Sequence, residues 1–143
     1  MKDIDIRLVG NREELEQVFR IREMVFVKEQ NVQRERERDN FDTNSNHVLA
    51  MYRNKPIGCA RIKIIDRRAK LERVAVLKNC RKRGVGALLM DYLVTYCKKN
   101  AVEEIFLHAQ CEVSDFYKKW GFEPRGEPFM EEGIKHVEMY LKA

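Results

Sequence analysis

Residues 81 to 87, Arg-Lys-Arg-Gly-Val-Gly-Ala, have the types and spacing best suited to chemistry in this chain. Glycines let a backbone come close to a ligand, and the first amides of a helix that starts there have no partner inside it. Outward-pointing N–H groups at a helix start suit an anion such as a phosphate. Two nucleotide motifs built on the same chemistry are excluded. A dinucleotide fingerprint needs Gly or Ala three positions after Gly86, where Leu89 stands, and a P-loop needs Gly-Lys-Ser/Thr, which is missing. What remains is the pattern Gln/Arg-x-x-Gly-x-Gly/Ala, met by Arg81, Gly84 and Gly86. Taken alone, the same pattern fits a solvated basic turn.

Other chemistry-bearing residues are dispersed. Cys59, Cys80, Cys97 and Cys111 lie 21, 17 and 14 positions apart, which matches no paired zinc or redox spacing, so they are expected as reduced thiols of a cytoplasmic protein with no metal. His47, His108 and His136 are as scattered; His47 and His108, lone histidines on strands, read as structural. Between Arg61 and Arg83, ten cationic residues face two anionic ones, against +5 for the whole chain. Such a stretch could bind nucleic acid, but no aromatic residues interleave with it and no helix-turn-helix, zinc or RNA-binding signature accompanies it, so no nucleic-acid partner is expected.

The elements that must position these groups follow from periodicity. Ile4, Ile6 and Leu8 alternate as a half-buried strand; Asn11 caps a helix whose stripe runs through Leu15, Val18, Phe19, Arg22, Val25 and Phe26. Lys28 to Asp39 carries four positive and four negative side chains and reads as a solvated helix face or a mobile loop. His47 to Arg53 and Ile57 to Ile65 form a hairpin around Asn54-Lys55-Pro56, with proline fixing the turn. A strand over Leu71 to Val76, the glycine turn and a helix over Ala87 to Asn100 come next. Ile105 to Ala109 is a strand, Val113 to Trp120 a short helix stopped by Gly121, and Phe122 to Phe129 pairs with His136 to Lys142 across Glu131-Glu132-Gly133. This order predicts an α/β (α+β) fold: one mixed sheet of about six to seven strands with helices on both faces.

The strand Leu71-Glu72-Arg73-Val74-Ala75-Val76, the turn Arg81 to Gly86, the helix start Ala87-Leu88-Leu89-Met90 and the later Phe116-Tyr117-Lys118-Lys119-Trp120-Gly121-Phe122 resemble the acetyl-CoA-binding half of the GNAT superfamily of N-acetyltransferases. Val25 to Asn31, Ala109-Gln110, and Gly133 to His136 followed by Met139 resemble its ElaA-type branch, so the likeness spans nearly all of 1–143 as one GNAT domain. The resemblance implies acetyl transfer from acetyl-CoA to a primary amine of a small molecule or an exposed protein amine, with CoA as product. It places the diphosphate on backbone amides of Arg83, Gly84, Val85, Gly86 and Ala87, with Arg81, Lys82 and Arg83 adding charge. The edge of Val74, Ala75 and Val76 pairs with the pantetheine arm. Tyr117 corresponds to the general acid, since a phenol near pKa 10 can protonate a departing thiolate near 8.5. Glu72 is the candidate base, on the same side of its strand as Lys70 and Val74; ordered water or His136 are alternatives. Gln110 and His136 are candidate substrate contacts, and Glu72 as a surface ion pair and Tyr117 as a packing aromatic remain open.

A chain of 143 residues with 44% hydrophobic and 36% charged residues has room for one domain with a filled core. The charged amino end, Met1 to Asp5, lacks the apolar stretch of a signal peptide, and no window is apolar enough to span a membrane. The expectation is a cytoplasmic monomer or homodimer with no membrane partner. A CoA-binding regulatory domain without turnover is the other reading of the same motifs.

Overall fold

The computed structural model describes residues 3–143; Met1 and Lys2, part of the charged amino end, lie outside them. Seven strands form one mixed sheet: β1 (Ile4–Leu8), β2 (Asn46–Tyr52), β3 (Lys55–Ile65), β4 (Arg68–Val76), β5 (Glu104–Gln110), β6 (Glu123–Glu131) and β7 (Ile134–Lys142). Their order is β1-β2-β3-β4-β5-β7-β6, and only the β4–β5 pair is parallel. That pair needs a crossover, supplied by helix α3, Val85–Lys99; β2–β3, β3–β4 and β6–β7 close as hairpins, whereas β1 and β2 are joined through the helical segment between them. Helix α1 (Arg12–Arg22) runs on into a π-helical stretch, Glu23–Glu29, and is followed by α2 (Arg34–Glu37); α4 (Ser114–Tyr117) is one turn between 3₁₀ segments.

The sheet separates two apolar layers. On one face Ile62, Leu71, Leu107 and Met139 meet Leu89, Met90 and Leu93 of α3. On the other, Leu49, Cys59 and Ala75 meet Val18, Ile21 and Val25, which recur at helical spacing along α1 and its extension. Each fully buried leucine or isoleucine here contributes roughly 1.5 to 3 kcal/mol. Asn11 starts α1 as its residue type predicts: its Oδ1 accepts from the Glu14 amide at 2.8 Å, and Glu14 Oε1 accepts from the Gly10 amide at 2.8 Å.

Two local expectations are corrected. The β2–β3 turn is Arg53-Asn54, with φ of 49° and 67°, and not Asn54-Lys55-Pro56. Positive φ at both central residues matches the twist of a two-residue hairpin; Pro56 already lies in β3 opposite Met51, where a register shift accommodates it. The stretch from Lys28 to Asp39 is largely exposed, as its composition predicts, but its far end is not a mobile loop, because Glu37 is buried. Arg22, also buried, donates Nε to Glu37 Oε2 at 2.7 Å and Nη1 to Asp42 Oδ1 at 2.7 Å. Arg61, on β3, reaches Asp39 and Asp42 at 2.7 and 2.9 Å. Opposite charges in that segment therefore turn inward onto buried guanidinium groups and tie it to the sheet.

Candidate active site

The parallel pairing of β4 and β5 runs from Arg68 opposite Glu104 to Leu71 opposite Leu107 and stops there. Beyond it β4 has no partner on its β5 side among the described residues, and the two strands part. The cause lies in β4. Against β3, Arg61 faces Glu72 but Cys59 faces Ala75, so β4 carries one extra residue, and Arg73 has φ of 55°. A bulge of this kind bends its strand and resets the alternation of faces. Ala69 and Leu71 point to the α3 layer, and after the bulge so do Val74 and Val76. Val74 is therefore not on the side of Lys70 and Glu72, as strict alternation required. The Arg73 side chain holds the bulge from the far wall: Nη2 and Nε donate to the Glu37 carbonyl at 2.9 and 3.2 Å, and Nε also to Glu37 Oε2 at 3.2 Å.

A cavity of about 960 Å³ opens at the fork. One end is bordered by Val74, Ala75 and Val76 and by the turn into α3. Gly84 caps α3 with φ of 84°, and Lys82 has φ of 62°. The first bond of the helix runs from the Leu88 amide to the Gly84 carbonyl at 3.0 Å, so the amides of Val85, Gly86 and Ala87 precede it and stay free for a ligand. A Cβ built on Gly84 meets nothing within 4 Å, and one on Gly86 meets only the Phe116 ring, at 3.5 Å. The turn is open, and a diphosphate fits it. Its side chains divide. Arg81 donates Nε to the Val76 carbonyl at 2.9 Å and Nη2 to Glu29 Oε1 at 2.7 Å, so it braces β4 against the π-helical stretch and is not a free cation. Lys82 borders the cavity, whereas Arg83 is exposed and outside its lining.

Tyr117 lines the cavity beside Phe116, ring centroids 5.1 Å apart, and burial pushes its hydroxyl above the ordinary phenol value, which keeps the proton on at neutral pH. Glu72 also lines it, but three cations surround the carboxylate: Arg61 Nη2 at 3.1 Å, Lys70 Nζ at 3.5 Å and Lys63 Nζ at 3.6 Å. Burial alone would raise its pKa; the charges of Lys70, Arg61 and Lys63 outweigh that and hold it below the usual carboxylate range. A carboxylate so held is a weak proton acceptor, which removes the reason for reading Glu72 as the base. At the end of β5, Gln110 lies opposite His136 of β7, and its Nε2 is 3.4 Å from Gln30 Oε1. Both Gln110 and His136 line the cavity.

The sequence reading named no individual site residue on the wall facing these strands. Phe26, Gln30 and Arg36 line it: Phe26 from the π-helical stretch, Gln30 from its end, where the amide bonds the Val25 carbonyl five residues back at 3.1 Å, and Arg36 from α2. It also missed His108, which lines the cavity and lies 3.4 Å from Glu131 and 3.2 Å from Glu138, while His47 is the structural residue expected, buried with Nε2 on the Asp42 carbonyl at 2.8 Å. The only available signal was strand parity, which sets His108 and Gln110 on one face.

The family model described as "Acetyltransferase (GNAT) domain" matches residues 11–143. The chain belongs to that family. This GNAT chain is an acyltransferase, and its seven-stranded mixed sheet is the GNAT fold. It is 39% identical over 133 residues to the uncharacterized N-acetyltransferase YjcF of Bacillus subtilis (strain 168), covering 92% of this chain and 95% of that one. It is similar to the crystal structure of Escherichia coli ElaA, with a TM-score of 0.87 and 26% identity, over 96% of this chain and 98% of that one. A GNAT family acetyltransferase from Elizabethkingia anophelis, solved with acetyl-CoA bound, shares the fold at a TM-score of 0.72 and 17% identity, over the full length of both chains.

Proposed function

We propose that this GNAT protein moves an acetyl group from acetyl-CoA to a primary amine, carried by a small molecule or exposed on a protein, by direct attack on the thioester. The observation that carries the reading is the fork of β4 and β5, which opens beside the free amides of Val85, Gly86 and Ala87. The Elizabethkingia neighbour of the same fold, with acetyl-CoA bound, supports the choice of donor. When bound, acetyl-CoA supplies a carbonyl activated toward amines and a thiolate leaving group.

The chain's own residues do the rest. The three amides and the start of α3 bind diphosphate oxygens, with Lys82 adding charge at the rim. The unpaired edge of Val74 to Val76 holds an extended arm by main-chain bonds, as an added strand does. Tyr117 keeps its proton at neutral pH and gives it from Oη to the departing sulfur. Holding donor and acceptor in one cavity removes much of the entropy cost of their meeting. Glu72 orients Lys70 and Arg61 without taking a proton.

The test combines binding and turnover. CoA and acetyl-CoA should raise the melting temperature, since both prefer the native state. With a panel of primary amines, acetyl-CoA should release thiol, and Tyr117→Phe should keep the thermal shift while turnover falls about 10²-fold or more. A thermal shift with no thiol release on any amine would make the protein a CoA-binding domain without turnover, and no shift would overturn the reading.

A further inference from the structure

With the Glu72 carboxylate held ionised by its three cations, the proton of an acceptor ammonium needs another destination in the cavity. The β6–β7 hairpin supplies one. His136 is 7% exposed and lines the cavity opposite Gln110. Its Nδ1 lies 2.7 Å from the Ile134 carbonyl, and a carbonyl only accepts, so Nδ1 carries the hydrogen and the lone pair sits on Nε2. Nε2 faces Glu131 Oε2 at 3.7 Å. Glu131 is in turn held ionised: its bond with His108 lowers its pKa against the opposing effect of burial, with His136 and Lys70 adding to the lowering. Phe129 stacks on the ring from β6, Gln110 faces it from β5, and His108 bridges Glu131 and Glu138.

We propose that His136, through Nε2, takes the proton of the acceptor ammonium, and that Glu131, which faces Nε2, is the residue that positions the ring. The inference rests on the acetyl-transfer reading above. One ammonium proton passes to Nε2 and leaves to solvent from there. The neutral nitrogen forms its bond to the acyl carbon as the carbon–sulfur bond breaks; the electron pair goes to sulfur, which takes the Tyr117 proton, and the second nitrogen proton restores the phenol.

Two probe acceptors separate this role from a structural one. Ethylamine is an ammonium at pH 7 and needs the base, whereas hydroxylamine is already neutral. In the full-length chain, His136→Gln should lose about 100-fold or more of kcat/KM with ethylamine and stay within about threefold with hydroxylamine. CoA should raise its melting temperature as it does for the unmodified protein. Glu131→Gln should keep the CoA thermal shift and lower kcat/KM with ethylamine more than with hydroxylamine. Equal losses with both amines, or full activity of His136→Gln on ethylamine, would overturn the proposal. If neither amine releases thiol while CoA still binds, the transfer reading fails, and ¹⁵N spectra of the rings decide the proton site. A His136 ring with its hydrogen on Nδ1 and its lone pair on Nε2 supports the assignment, and the opposite tautomer overturns it.

Discussion

Replacing Asp42 with asparagine probes the carboxylate that joins Arg22 of α1 to Arg61 of β3. Asp42 Oδ1 accepts from Arg22 at 2.7 Å and from Arg61 at 2.9 Å, and Oδ2 accepts from the Asp39 amide at 3.1 Å. Burial by itself would raise the Asp42 pKa; the Arg22 and Arg61 guanidinium groups and the Asp39 amide more than reverse this and bring it from 3.8 to about 2. A carboxyl depressed in the folded state stabilises it above the unfolded pKa, and that contribution is lost as pH falls through the folded one. From 3.8 to about 2 the linkage is worth roughly 2 to 3 kcal/mol at pH 7. Asn has nearly the same shape and keeps one acceptor oxygen, so it removes the charge and one of the two acceptors, which now carry bonds from Arg22, Arg61 and the Asp39 amide. In urea, Asp42→Asn should lower the midpoint by about 1 M at pH 7. The deficit should hold to about pH 5, shrink to about half by pH 3 and continue toward zero as the native carboxyl itself takes up a proton. A deficit under about 0.5 kcal/mol at pH 7, or one that does not change between pH 7 and pH 3, would refute the reasoning.

Other sites give independent checks. At Gly58 an added Cβ would stand 3.0 Å from the Ala75 carbonyl oxygen and 3.3 Å from Leu89 Cδ1, so Gly58→Ala should cost about 1 to 3 kcal/mol, seen as a lower melting temperature. Lys82→Gln should weaken CoA about two- to fivefold in isothermal titration, less at high salt, whereas Arg83→Gln should leave affinity unchanged because Arg83 is outside the cavity lining. Burial pushes the Cys59 thiol up to about 12 and Cys97 to about 11, so iodoacetamide at pH 8 should label Cys80 and Cys111 first, which mass spectrometry of the native protein would show. Gly84→Ala meets no neighbour but must hold φ of 84°, and should cost about 1 to 2 kcal/mol in denaturant unfolding.

How far the sequence could be read follows from the range of the forces involved. Ile4–Leu8 and α3 were legible because a local alternation or a helical stripe is repeated several times within one element. The glycine turn was legible because Gly84 stands at a φ that other residues avoid. The bulge in β4 carried no such mark. Arg73 takes its positive φ without being glycine, and what holds it is Glu37, 36 residues away in the chain. A parity argument run across it therefore puts Val74 on the wrong face, although the strand itself is correctly found.

The basic stretch makes the same point for charge. Counting from Arg61 to Arg83 gives a strongly positive segment, and a count cannot say which cations are free. Arg61 is buried against Asp39, Asp42 and Glu72; Lys63 and Lys70 share Glu72. Arg67 pairs with Glu103, Arg68 with Glu104, Arg73 with Glu37 and Arg81 with Glu29. Among the described residues only Lys78, Lys82 and Arg83 of that stretch lack an ion pair, and all three belong to the connection from β4 into α3. The cations that looked like a surface for a polyanion are thus mostly internal fasteners of the sheet and its cover. Of those left over, only Lys82 borders the cavity beside the open amides, so a count of ten cations leaves one unpaired at the site.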